Sequence, residues 1–149
     1  MTTSTAPEVT ETQVLEWTEQ LCEALAENYK RYHYRAMTQD PTFADSAYGK
    51  QQIKEMNEGT AKLMRFRIHT TQKYLKIIQQ EFDTFQDRNE WRDGSVHAFI
   101  DKQTGEIYKP AGWKAPAKHV RYDLRDQKSR EYVFNPENLS WSGGWLYMR

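Results

Sequence analysis

Residues 95–122, SVHAFIDKQTGEIYKPAGWKAPAKHVRY, hold the most constrained residue choices in the chain. Ser95–Asp101 and Glu106–Lys109 are β-prone runs separated by Lys102-Gln103-Thr104-Gly105, and the glycine supplies the positive φ that a tight reversal needs. The first half therefore predicts a hairpin. Pro110, Gly112 and Pro116 then break the sheet, and Lys118, His119, Arg121 and Tyr122 follow as a bend lined with cationic and aromatic side chains. Pro116 sits near the start of Ala115–Tyr122, where a missing N–H is harmless, so that segment predicts a short helical turn.

Upstream of the hairpin the pattern changes twice. Met64, Phe66 and Ile68 alternate with Arg65, Arg67 and His69, the period of a strand with one buried and one basic face. Thr70–Lys73 reads as a turn and Tyr74–Phe82 as a second strand. A helix over 61–85 is the alternative, because Lys, Gln and Glu favour helices, but the β-branched and aromatic residues favour the hairpin. Residues 83–94 read as a polar connection. Further upstream the period is helical: Val14, Trp17, Leu21, Leu25 and Tyr29 form one apolar stripe from about Thr12 to Met37, with Thr10 and Gln13 at capping-box spacing. Residues 43–58 have few apolar anchors and predict a marginal helix or two short turns, ended by Gly59. Downstream, 126–142 reads as polar and irregular apart from Tyr132-Val133-Phe134, and 143–149 as a terminal strand closing the sheet.

These elements predict an α+β chain: a flexible leader at 1–11, a helical oligomerisation region at 12–60, and a small antiparallel β-sheet domain at 61–149 that binds ligand. A length of 149 residues suits one compact domain with a helical extension. Hydrophobic residues make up 38% and aromatics 13%, so large rings supply much of the core. Net charge is zero but unevenly placed. Residues 1–61 carry five Lys/Arg against ten Asp/Glu and 62–149 carry sixteen against eleven, giving −5 and +5. That split favours a homo-oligomer and argues against wrapping duplex nucleic acid with the whole surface, so nucleic acid is not the expected partner. Cys22 is alone, which predicts a reducing compartment and no disulfide. With no long apolar run and no signal segment, the expected place is the cytoplasm, with no membrane partner.

Catalytic patterns are weak. His33, His69, His97 and His119 include no closely spaced pair of metal-ligand type, Cys22 lies on the helix stripe, and neither a nucleophile elbow nor a P-loop occurs. The expectation is a non-enzyme without metal or cofactor. Binding chemistry is better supplied. Lys118, Arg121 and Arg125 can neutralise phosphates, Phe99, Tyr108, Trp113 and Tyr122 offer π-faces, and Asp101, Thr104 and Glu106 bracket the turn where ribose hydroxyls would be held.

Asp101–Leu124, standing as DKxTGxxYKPAxWKAPAKHVRYxL, resembles a motif of small phage proteins, and Gly143–Tyr147 resembles their C-terminal signature. The functional group to which it is similar is the phage Thoeris anti-defence sponge family of the first type, over about residues 62–149. The resemblance implies an oligomer, dimer or hexamer, with an N-terminal helical part and a C-terminal antiparallel sheet. It implies a protein that sequesters a cyclic ADP-ribose isomer in the host cytoplasm without cleaving it, with cyclic oligonucleotides as further ligands. The family's turn residues fall on Thr104 and Glu106, which differ from its Asn and Asp, and its phosphate-binding arginine falls on Arg121.

Together these predict a clamp. Arg121, aided by Lys118 or by a basic residue such as Arg35 or Arg65 of a second subunit, neutralises a pyrophosphate; Phe99 or Trp113 stacks on adenine; Thr104 and Glu106 hold ribose. Two other readings stand beside it. One is a single-stranded nucleic-acid module built on the basic strand at 62–69; the other is a phage protein that docks on a host protein through the helix stripe.

Overall fold

The computed structural model describes residues 9–147, so most of the expected leader and the last two residues of the expected terminal strand lie outside it. Thr10 caps the first helix. Its hydroxyl accepts from Gln13 N, and the Gln13 side chain accepts from Thr10 N at 3.0 Å, completing the capping box. Helix α1 then runs Glu11–Gln39, and α2 (Pro41–Ala44) and α3 (Ala47–Glu58) follow. Gly49 inside α3 is required by space, since a Cβ there would stand 1.8 Å from Phe43 O.

The sheet has five strands in sequence order, β1 (Arg65–Thr70), β2 (Tyr74–Asp83), β3 (Glu90–Asp101), β4 (Glu106–Tyr108) and β5 (Tyr122–Asp123), each antiparallel to its neighbour. The fold is thus α+β, a long N-terminal helix on an antiparallel sheet. Val14, Leu21 and Leu25 of α1 pack with Phe66, Leu75, Ile77, Ala98, Ile100 and Ile107 of the sheet. The helix stripe is therefore used inside the chain, where burying such side chains contributes roughly 1.5–3 kcal/mol each. It is not left over for a host protein.

A second cluster, Ile78, Val96 and Phe99 with Tyr74 and Tyr108, forms apart from the α1 side. Its membership follows from a bulge. Ile77 pairs with Ala98 but Ile78 pairs with Val96, so β3 inserts His97 as an extra residue, and a second extra residue falls between Val96 and Asp93. The insertion turns His97 toward Phe66 and the α1 core, whereas strict alternation would place it on the face of Phe99.

Four expectations are corrected. The polar connection at 83–94 is half strand: β2 runs on to Asp83 and β3 starts at Glu90, a two-stranded ribbon joined through a 3-10 turn at Phe85–Asp87 and held by Arg67–Asp93 and Arg92–Asp83 ion pairs, by Arg65 lying 3.8 Å over Trp91, and by the edge contact of Phe82 with Trp91. Ala115–Tyr122 forms no helical turn. Pro110 bridges Pro116, Ala111 N donates to Ala115 O, and Ala117 N donates to Lys109 O at 2.7 Å, so 109–117 folds back as a narrow loop ahead of β5. The supposedly irregular 126–142 contains α4 (Gln127–Val133) and a 3-10 turn at Pro136–Asn138. The expected terminal strand is instead a 3-10 turn at Gly144–Leu146, and the sheet ends on β5.

Candidate functional site: a ring-walled cleft around Arg121

The last strand and the C-terminal turns meet at a cleft of about 480 Å³. Its walls include Arg121 and Tyr122 of β5 and the loop before it, Tyr132 of α4, Asn138 and Ser140, and Trp145 and Tyr147 of the last turn. One polar side chain on α1 fixes the wall between. Asn28 donates to Pro136 O (3.0 Å) and Leu139 O (2.9 Å) and accepts from Trp141 N (2.8 Å), pinning 136–141 to the helix.

Along the cleft the aromatic rings form a column. Tyr132 stacks on Tyr122 (5.4 Å, 17°), Tyr122 on Trp145 (5.5 Å, 26°), and Trp145 on His97 (5.9 Å, 26°). The inner end is sealed. His97 is buried, its Nε2 accepts from Trp145 Nε1 at 2.9 Å, its Nδ1 lies 3.4 Å from Gln79 Nε2, and burial lowers its pKa to about 4, so the ring is neutral. The outer end is open, because Tyr132 is 42% exposed.

Arg121 is half-buried on this wall. Its Nε donates to Leu146 O at 2.7 Å, and its Nη1 donates to Lys118 O (3.0 Å) and His119 O (2.8 Å). Those bonds hold His119 at φ +76°, a conformation that a non-glycine residue adopts only under constraint. They satisfy donors but not charge. Among the described residues no carboxylate pairs with Arg121, whereas Arg67, Arg88, Arg92 and Arg125 each have one.

Of the six residues expected to bind ligand, Arg121 alone lines this cleft. Phe99 is 0% exposed, with the Tyr74 ring edge-on at 5.5 Å and the Lys76 ammonium 5.4 Å from its centroid, so it has no face left for adenine and serves the core. Thr104 and Glu106 serve their turn: Thr104 Oγ1 donates to Glu106 Oε1 (2.9 Å) and accepts from Glu106 N (3.2 Å), while Asp101 Oδ1 accepts from the N–H groups of Gln103 and Thr104. Trp113 stands at the tip of the 109–117 loop, 50% exposed, and the Lys118 side chain is in solvent.

The helper cations separate likewise. Arg125 is bound to Asp123 through two nitrogens, which raises its pKa, and Arg65 is held by Gln80 and Trp91. Arg35 lies in an adjoining cleft of about 370 Å³ that shares Leu139 and Ser140 with the first, so it stands near Arg121's cleft without a second subunit. Tyr132, Asn138 and Ser140 were not expected at a site. Their spacing carries no motif, and only the fold of 126–142 brings them to β5.

A family model matches residues 1–148. The chain belongs to DUF7717, a family of unknown function. No curated protein and no solved structure matches it. For this DUF7717 chain the remaining chemistry must therefore be read from its own side chains. Cys22 offers little of it: burial, helped by the Glu19 and Glu23 carboxylates, pushes the thiol up to about 12, far from a nucleophilic thiolate. Among the described residues no group of three or more His, Cys, Asp or Glu is placed to hold a metal, and no helix is long and apolar enough to cross a membrane.

Proposed function

We propose that the chain is a phage anti-defence binding protein that retains a cyclic nucleotide signal of the cyclic ADP-ribose type, without cleaving it, in the cleft around Arg121. The carrying observation is the pairing of a half-buried guanidinium that meets no carboxylate among the described residues with a ring column ending on the exposed Tyr132. A nucleobase extends such a column, and a phosphate supplies the missing negative charge. The cleft volume lies within the usual range for small-molecule sites. Asn138 and Ser140 are the polar groups within reach of ribose, in place of Thr104 and Glu106. The column and the Arg121 anchors are fixed before ligand arrives, so slow release follows from pre-organisation.

The test is calorimetric titration with cyclic ADP-ribose isomers. Arg121→Ala would also free three backbone carbonyls, so the informative variants are Tyr132→Ala, which removes the open ring, and Arg121→Lys, which keeps a charge but loses the guanidinium fork. Loss of one stacking partner is worth about 1–3 kcal/mol, or roughly a 5- to 150-fold weaker Kd for Tyr132→Ala. Wild-type affinity in that variant, with its fold intact, refutes the site.

A further inference from the structure

The loop at 109–117 is not absorbed by the cleft, yet it carries a distinct chemistry. From Ile107 to Tyr122 the chain contains no Asp or Glu and four cations, Lys109, Lys114, Lys118 and Arg121. None of the three lysines takes part in an ion pair among the described residues. At the loop tip Trp113 is half-exposed, and the Lys76 ammonium lies 5.6 Å from its ring and 5.4 Å from that of Phe99, fixing the indole against the sheet. At the loop base the Lys109 ammonium lies 4.1 Å over Tyr147, which is 61% exposed.

We infer that this loop is a docking platform for single-stranded nucleic acid. One half-exposed indole on a loop carrying three ammonium groups, none of them ion-paired among the described residues, suits the bases and phosphates of a single strand, and the backbone bonds of the loop hold it in shape before binding. A duplex keeps its bases stacked inside and cannot offer them to Trp113. An acidic peptide would use the lysines but gain nothing from the exposed indole. The patch is small: Glu106 and Asp123 close it on the β4–β5 side, so it suits a few nucleotides. Chain-wide neutrality argues against a whole-surface grip on nucleic acid but not against a local one.

Fluorescence anisotropy with a fluorescein-labelled oligothymidylate of roughly a dozen nucleotides tests this, titrated across potassium chloride concentration. With three lysine–phosphate contacts, log K falls with log salt at a slope of about −2. Trp113→Ala weakens binding about 5- to 150-fold at fixed salt. Lys114→Gln makes the slope shallower by about 0.7. Tyr132→Ala leaves oligonucleotide binding unchanged, which separates this platform from the Arg121 cleft. No binding at low salt, unchanged affinity in folded Trp113→Ala, or equal displacement of the probe by polyglutamate overturns the inference.

Discussion

Truncating Asn28 probes how the site is built. Asn28→Ala removes three hydrogen bonds at once, two donated to the carbonyls of Pro136 and Leu139 and one accepted from Trp141 N. A net intramolecular hydrogen bond is worth about 1 kcal/mol, and the position is half-buried, so water recovers part of the loss; about 2–3 kcal/mol of destabilisation is expected. For a chain of this size that is a fall in Tm of roughly 5–10 °C. Urea and thermal unfolding followed by circular dichroism measure it. Asn28→Asp keeps an acceptor for Trp141 N but sets a carboxylate against two carbonyls, so it should be at least as damaging as alanine. Because 136–141 forms the wall between the two clefts, both variants should also lose ligand affinity. A loss below about 1 kcal/mol, or a benign Asn28→Asp, would refute the assignment of Asn28 as the pin between α1 and the site.

Two other predictions concern the frame. His97 is neutral in the folded chain with a pKa lowered to about 4, while the unfolded chain protonates it near 6.5, so its contribution to stability is present above pH 6.5 and lost as pH falls toward 4. The loss amounts to about 3 kcal/mol, and it is read as the difference in pH-dependent urea stability between wild type and His97→Gln; parallel curves would contradict it. Gly105→Ala places a Cβ at φ +80° and 3.1 Å from the Leu124 Cβ, which should destabilise by about 1–2 kcal/mol or more in urea titration; an unchanged midpoint would show that the turn relaxes freely.

What the sequence made legible was the part governed by local rules. The capping box at Thr10, the helical stripe from Val14 to Tyr29, the alternation from Met64 to His69 and the glycine turn before β4 each state a conformation within a few residues. The misreadings come from non-local causes. Pro116 suggested a helix start, but pairing across the loop with Pro110 decides its conformation. α4 is seven residues long and its Asp126 makes no side-chain cap bond, so it carried little helical signal. Strand β3 begins among charged residues because partners on β1 and β2 satisfy them. Phe99 was legible as an aromatic in a functional-looking segment, but the Tyr74, Ile78 and Tyr108 side chains that bury it come from neighbouring strands and leave no mark in its local sequence. The cleft draws on α4, β5 and the last turn, three elements whose meeting no spacing encodes.

The central claim is retention of an intact nucleotide, and its most direct measurement is mass spectrometry of what the protein carries. The chain is produced in cells that make cyclic ADP-ribose isomers, purified natively and heat-denatured, and the released small molecules are identified. An uncleaved cyclic nucleotide is expected in the wild-type sample, and its loss from folded Tyr132→Ala. Release of no nucleotide, release of a cleaved product, or equal loading of both proteins would contradict it.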